Sequence, residues 1–314
     1  MAIPAGGLPD ATRGSLIYMV GNTTYLLPPP SQANDGSVLH SYAAATDNSG
    51  LLWSNADLTC TASGAYAHAE GYGSIASGAY SHAEGYETIA QGQYSHAEGY
   101  VTHAYGAYSH AEGGFHTNTQ SNYAHAEGYQ TSAVGQMAHS EGYNSTATGN
   151  SSHAGGSGGN ADLLSKWARA DAQSYATENT GPSQTGIIQL SARTVDATPT
   201  NLTIGGGAGG TPVLPVVRSN STYGFEVKIV GRDISGVDHL WAIRRGLIHN
   251  EAGTTALAGS IGPASPADIG TTGGLSWSVA ITADATNNAI QVQVTGAAST
   301  TIHWSCSLQT VEVG

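Results

Sequence analysis

Between positions 68 and 153 the chain returns to the same four residues at an almost fixed interval. His-Ala-Glu-Gly recurs with its histidine at positions 68, 82, 96, 110 and 125. His-Ser-Glu-Gly follows at His139, and His153 heads a decayed copy, Ser-His-Ala-Gly-Gly. The steps are 14, 14, 14, 15, 14 and 14 residues. One copy runs from Ser81 to Tyr94, SHAEGYETIAQGQY. This period is too short for paired-helix repeats, and glycine at fixed places disfavours a helix. It suits one coil of a parallel β-solenoid, with two strands of about five residues each closed by a glycine-bearing turn.

Parity within the copy supports strands. Thr88, Ala90 and Gly92 stand at places that stay small in each copy, whereas Glu87, Ile89, Gln91 and Gln93 stand at places that vary freely. Such alternation marks a strand confined on one side and solvated on the other. The first strand has the same logic, with Ala83 facing one way and His82 and Glu84 the other. A roll filled only by Ala, Ser, Thr and Gly buries little apolar surface, so one copy of the chain alone is marginal.

That deficit points to association. The outward residues form a ladder of His68, Glu70, His82, Glu84, His96, Glu98, His110, Glu112, His125, Glu127, His139, Glu141 and His153, with rungs about 4.8 Å apart. Stacked carboxylates repel unless neutralised. Neighbouring chains offering their own His and Glu supply charge-assisted hydrogen bonds at each level. The ladder is therefore expected to be a polar seam between copies of the chain.

The run SHAEGYxTxAxGxYSHAEGY resembles the head repeats of trimeric autotransporter adhesins, a resemblance that covers residues 53–171. It implies a left-handed parallel β-roll of 14-residue coils in a threefold bundle, hence a homotrimer. In that family two apolar residues stand where this chain has His and Glu, which implies a hydrogen-bonded core in place of a dry one. The His-Ala-Glu-Gly version is also similar to repeats in phage and prophage tail fibres.

The ends of the roll are legible. Ala62, Gly64 and Tyr66 fit the second half of a copy, so the roll is expected to begin near Trp53. Fourteen residues after Ser151 stands Ser165, which brings Trp167 and Arg169 to the places of His and Glu. This reads as a capping coil in which an aromatic and a nearby guanidinium close the seam. The extra residue within Gly113–Tyr123 is expected to bulge from one turn, and tyrosines such as Tyr80, Tyr86, Tyr94, Tyr100 and Tyr108 to form a packing ladder.

Residues 1–52 lack periodicity and contain Pro28-Pro29-Pro30, which favours polyproline II. Gly14–Tyr18, Leu26-Leu27, Gly36–Leu39 and Trp53 are similar to a short module of phage tail-fibre shafts, which implies attachment to a virion tail or baseplate protein. After a polar linker at 172–185, residues 186–314 change texture. Strands are predicted at Ile187–Val195, Thr222–Gly231, His239–His249, Leu275–Ala283, Ala289–Thr295 and Thr301–Val313, the makings of a β-sandwich knob. DATPTNLTI, WAIRRGLIHNEAGTTAL and ITADATNNAIQVQVTG look like the terminal domain of phage tail fibres, which implies a distal knob. The fold class expected overall is all-β, a trimeric β-roll followed by a C-terminal β-sandwich.

Composition excludes several functions. With only 9 Lys+Arg and a net charge of −13, the chain has no electrostatic footprint for nucleic acid. The first twenty residues lack the basic and apolar regions of a signal peptide, and no run reaches the length of a membrane helix. Synthesis in a host cytoplasm without membrane insertion is expected. Cys60 and Cys306 form no disulfide framework and read as small buried residues. Three chains would offer three imidazoles at each level, but near-identical levels look architectural, so no metal or other cofactor is expected. The run Gly205–Gly210 lacks the Lys-Ser/Thr of a phosphate loop. Glu226, Asp233, Asp238, Glu251 and Asp268 show no spacing that singles out a hydrolytic pair, and no catalytic residue is assigned. The reading that remains is a homotrimeric tail fibre, not an enzyme, whose knob binds a host surface glycan or protein. The insertion and the loops Gly205–Pro215 and Leu257–Leu275 are the recognition candidates. Two alternatives stay open: a structural head fibre or decoration trimer, and a bacterial trimeric surface adhesin.

Overall fold

In the computed structural model, residues 60–171, 183–206, 213–259, 261 and 267–314 are described, together with strands at Leu16–Val20, Thr23–Leu27, Ser37–Ser41 and Leu51–Asn55. The four N-terminal strands form two antiparallel pairs. The Pro28-Pro29-Pro30 run and most of the linker lie outside the described residues.

From Thr61 to Ala170 the chain is a parallel β-solenoid with two sheets. One is built from the His-Ala-Glu-Gly strands, beginning with His68–Tyr72 and ending with His153–Gly156 and Trp167–Ala170. The other is an eight-stranded sheet running from Thr61–Ala62 to Asn160–Ala161. Register is strict: His82 pairs His96, Ala83 pairs Ala97 and Glu84 pairs Glu98. The repeat thus places like residues over like along the roll.

The inside is as thin as its residue types dictate. Ala83, Thr88, Ala90, Gly92 and Ser95 are buried, while Glu87, Gln91 and Gln93 are exposed and Ile89 is half-buried. Its polar atoms are satisfied locally, as when Ser95 Oγ donates to the Gly92 carbonyl at 2.7 Å and Thr88 Oγ1 bonds Ser74 Oγ at 2.9 Å. The second strand of each coil differs from expectation. It has two residues, as at Ile89–Ala90, because the next two amides, those of Gln91 and Gly92, both donate to one carbonyl of the following coil, Ala104. That convergence starts the turn.

The turn after the second strand also works differently, its left-handed residue being Tyr94 (φ 57°), as at Tyr66, Tyr80, Tyr108 and Tyr123. The turn after the first strand carries the expected glycine, Gly85 (φ 122°), with Glu87 (φ 52°) close by. Gly92 is required for another reason: a Cβ there would lie 1.9 Å from the carbonyl oxygen of Gly106 in the next coil. In the last coil Leu163 stands at the glycine place, where no further coil stacks, and it packs instead against the core of the following domain.

Residues 184–314 form two facing sheets, consistent with a β-sandwich. Long strands at Gln184–Thr194, Ser221–Asp233, His239–Glu251 and Ile302–Val313 make one, and Thr200–Asn201, Ala289–Thr295 and Ser278–Asp284 the other. Between them lie Leu190, Val227, Ile229, Ile248, Leu308, Ile290 and Val292, with Trp277 and Trp304 edge to face at 5.4 Å. Ile302, Trp304, Cys306 and Leu308 share the buried face that their alternation predicts. Leu275 does not continue the following strand. It belongs to a short 3-10 turn at Gly274–Ser276 and is exposed. Gln184 and Thr185, placed in the linker by sequence, already belong to the first long strand. Cys60 and Cys306 are free, Cys60 half-buried and Cys306 in the core with its thiol pushed up to about 12 by burial.

Candidate functional site: the histidine–glutamate face and its junction

Because the coils are in register and side chains alternate, every His and Glu of the motif emerges on one sheet face. The imidazoles of His82, His96, His110, His125 and His139 stack with ring centroids 4.7–5.0 Å apart. His68 and His153 end the column at tilted angles. Beside it Glu70, Glu84, Glu98, Glu112, Glu127 and Glu141 form a second column.

The imidazole Nε2 atoms of His82, His96, His110, His125, His139 and His153 are shielded from solvent yet have no hydrogen-bond partner among the described residues. Carboxylates lie within ion-pair distance but not in hydrogen-bonding geometry. His96–Glu98 and His110–Glu112 are 3.6 Å apart within a coil, whereas His153 approaches Glu141 of the preceding coil at 3.4 Å. Burial, then neighbouring imidazoles, push His82, His110 and His139 below the ordinary value of 6.5. Burial, then a hydrogen bond with Glu112, pushes Glu127 up. The imidazoles of His82, His110 and His139 therefore favour the neutral form at neutral pH.

Two clusters, Glu112–His125–Glu127 and Glu127–His139–Glu141, bring their ligand atoms within 4.8 Å of one another. They are half-buried parts of the same repeating ladder. The same donor types recur at other levels, so these clusters are two steps of an architecture.

Trp167 and Arg169 fall where the alignment of copies puts them, pairing His153 and Gly155. Trp167 stacks on the His153 ring at 4.9 Å and 4°. Both residues are exposed, so in one chain they close nothing. The sheet does not stop there either, because Trp167–Ala170 pairs antiparallel with Gln184–Ile187 of the C-terminal domain.

At this joint lies a group of residues that sequence reading missed. Lys166 occupies the interior place held by Ser152 one coil earlier and is buried. Its Nζ lies 2.9 Å from Glu312 Oε1 and 3.1 Å from Asp162 Oδ1. Glu312, also buried, accepts from Arg218 Nη2 at 2.8 Å, Gln184 Nε2 at 2.6 Å and Thr310 Oγ1 at 2.7 Å. Gln184 in turn bonds both backbone groups of Asn160. The signal available in the sequence was a lysine at an interior place of the repeat. Its partner stands 146 residues away.

The tyrosines form two columns at the turns. Tyr66, Tyr80, Tyr94, Tyr108 and Tyr123 stack at 4.9–5.1 Å, and Tyr72, Tyr86 and Tyr100 at 4.9–5.0 Å. Ring faces are occupied by other rings, which makes these columns packing ladders, as expected. The inserted residue lies in the first turn of its coil. Gly114 takes the tyrosine's register, and Phe115 fills the ring column between Tyr100 and Tyr129 at 6.2 and 5.9 Å. The loops Gly205–Pro215 and Leu257–Leu275 lie partly outside the described residues. Gly205 itself faces Leu164 of the last coil.

Residues 61–81 and 126–152 match the YadA head domain repeat. These two stretches of the roll thus resemble repeats of this kind. No curated protein matches the chain. Among solved structures, the tailspike protein of Acinetobacter baumannii phage AM24 is similar over 80% of this chain and 48% of its own, at 10% identity and a TM-score of 0.23. Tailspike protein gp49 of the Acinetobacter baumannii bacteriophage Fri1, a capsular polysaccharide depolymerase, is similar over 74% of this chain and 39% of its own, at 11% identity and a TM-score of 0.23. The chain thus matches less than half the length of either. No described helix is long and apolar enough to cross a membrane.

Proposed function

We propose that this chain is a homotrimeric bacteriophage tail-fibre protein, joined to a tail or baseplate protein through residues 1–52 and attaching to the host surface through its knob. The observation that carries the reading is the face of in-register imidazoles whose shielded Nε2 atoms lack partners. A buried nitrogen without a partner costs free energy, and copies packed side by side on this half-exposed face re-aim the rings toward donors and acceptors of their neighbours. The interior of small residues makes the same demand, since it buries too little apolar surface to sustain the roll alone. In the trimer His68 to His153 and Glu70 to Glu141 form the seam, and Trp167 and Arg169 close its knob-proximal end.

Attachment without catalysis fits the engagement of four of the knob's five candidate carboxylates, Glu251 alone among them standing exposed. Glu226 is held by Arg245 and Lys228, Asp268 by Arg244, Asp233 by Ser235 and Asp238 by Thr271. Incubation with capsular polysaccharide should release no new reducing ends. The YadA-type repeats favour one other reading, a bacterial trimeric surface adhesin. Immunolabelling separates the two by finding the chain on virions or on cell envelopes.

The central test joins mass to binding. Light scattering of the full chain should give three times the monomer mass, and the trimer should saturate host cells and compete with virions for them. A folded monomer would falsify the seam, and a trimer that does not bind host cells would overturn the receptor role.

A further inference from the structure

The seam face does not end with the roll. Cross-strand pairing carries it into the knob along two parallel rows: His153 pairs Trp167, Trp167 pairs Ile187 and Ile187 pairs Gln309, while Arg169 pairs Thr185 and Thr185 pairs Val311. Directly paired residues share a sheet face, so Trp167, Ile187, Val311 and Val313 point the same way as the histidines. All four are large and apolar, and all are exposed in the single chain, at 57%, 41%, 60% and 57%. Arg169, Thr185, Val311 and Val313 also rim an open hollow at the joint. Contiguous exposed apolar surface of this kind marks an interaction site.

We infer that this strip, Trp167–Ile187–Val311–Val313, is covered by the same strip of two further copies of the chain. The inference rests on the trimer reading and extends it from the roll to the knob. Copies held in parallel register along the roll necessarily meet level with level, so each knob strip faces its own counterparts. The joint is not free to swing the strip away. Glu312 alternates with Val311 and Val313 on the same strand, and its carboxylate is bound by Lys166 of the last coil. Sheet twist rotates neighbouring strands by roughly 20–25°, so the Val311 strand, two strands beyond Trp167, lies within roughly 40–50° of the seam direction. The strands beyond turn further outward. The apolar strip thus provides the dry closure that the polar His–Glu rungs lack, and leaves the knob's other sheet and its loops to a host partner.

Cysteine cross-linking of the full chain in a Cys60→Ser background tests this, since Cys306 is buried. Val311→Cys and, separately, Val313→Cys probe the strip, and Ala280→Cys probes the exposed outer face of the other sheet. Light scattering of the unmutated chain is run in parallel. If that chain is a trimer and a short bis-maleimide couples copies at Val311→Cys or Val313→Cys but not at Ala280→Cys, the inference holds. If the chain is a trimer and the strip positions do not couple, couple no better than Ala280→Cys, or react with a bulky maleimide polymer as fast as Ala280→Cys, the knobs stand apart and the extension is wrong while the roll seam survives. If the unmutated chain is a folded monomer, the trimer reading fails and the extension with it.

Discussion

At the scale of single residues, the same repeat place can be kept for reasons that sequence alone does not separate. Gly92 is confined by the carbonyl of Gly106 rather than by its own torsions, and Tyr94, whose ring stacks on Tyr80 and Tyr108, holds a left-handed backbone that Met137, Ser151 and Ser165 share at the same place of later coils. Gly92→Ala should destabilise the roll by about 1–3 kcal/mol, the usual range for forcing atoms into a packed site. Tyr94→Asn should stay within about 1 kcal/mol of the parent, because relief of left-handed strain offsets the lost ring contacts. Thermal melts by circular dichroism compare the two. A loss at Tyr94→Asn as large as that at Gly92→Ala would show that ring stacking outweighs the left-handed strain. Glu312 is a third case. Glu312→Gln leaves the cations of Lys166 and Arg218 buried with one charge fewer to meet them, and should cost about 3 kcal/mol. Urea unfolding followed by tryptophan fluorescence reads that loss; an unchanged midpoint would mean that the network is neutral to stability.

At the scale of elements, the histidine column makes the roll sensitive to acid. His82, His110 and His139 lie below their ordinary value in the folded chain, burial being the leading cause. The unfolded chain therefore takes up protons first as pH falls. The stability due to these groups is complete above the unfolded value of about 6.5 and is lost as pH drops through the lower folded values. Packing further copies on this face adds to the same desolvation. Glu127, pushed up by burial, has the opposite sign, and its contribution belongs to a lower range, near ordinary carboxylate values. The melting temperature should thus fall between about pH 7 and about pH 5, with no response to a chelator. A melting temperature that drops on adding EDTA at neutral pH would instead show that the Glu112–His125–Glu127 type of cluster holds a cation.

At the scale of the whole molecule, roll and knob share one continuous sheet, closed underneath by Leu163 and Leu164 against the knob core and by the Lys166–Glu312 network. The two parts are joined directly by the backbone pairing of Trp167–Ala170 with Gln184–Ile187. Limited proteolysis should therefore leave residues 160–170 and 184–194 protected together, while cleavage falls elsewhere. Mass spectrometry of the fragments checks this. Early cuts on both sides of the Trp167–Ile187 pairing would show the joint to be open.

Much of this architecture was legible in the chain because its information is local and repeated. A period of fourteen residues, fixed small places alternating with free ones and a decayed final copy together specify parallel coils, their inward and outward faces and the end of the roll. The outward His–Glu face followed from parity, and the tyrosine ladders from regular spacing. The two-residue second strand, the left-handed tyrosines and the filling of a ring column by Phe115 depend on how one coil rests on the next, which composition does not encode. The pairing of Lys166 with Glu312 and the continuation of the His–Glu face into the C-terminal domain were hidden for a different reason. Both are set by which distant strand closes on the last coil, and that choice is made by the packing of two domains whose sequences carry no common period.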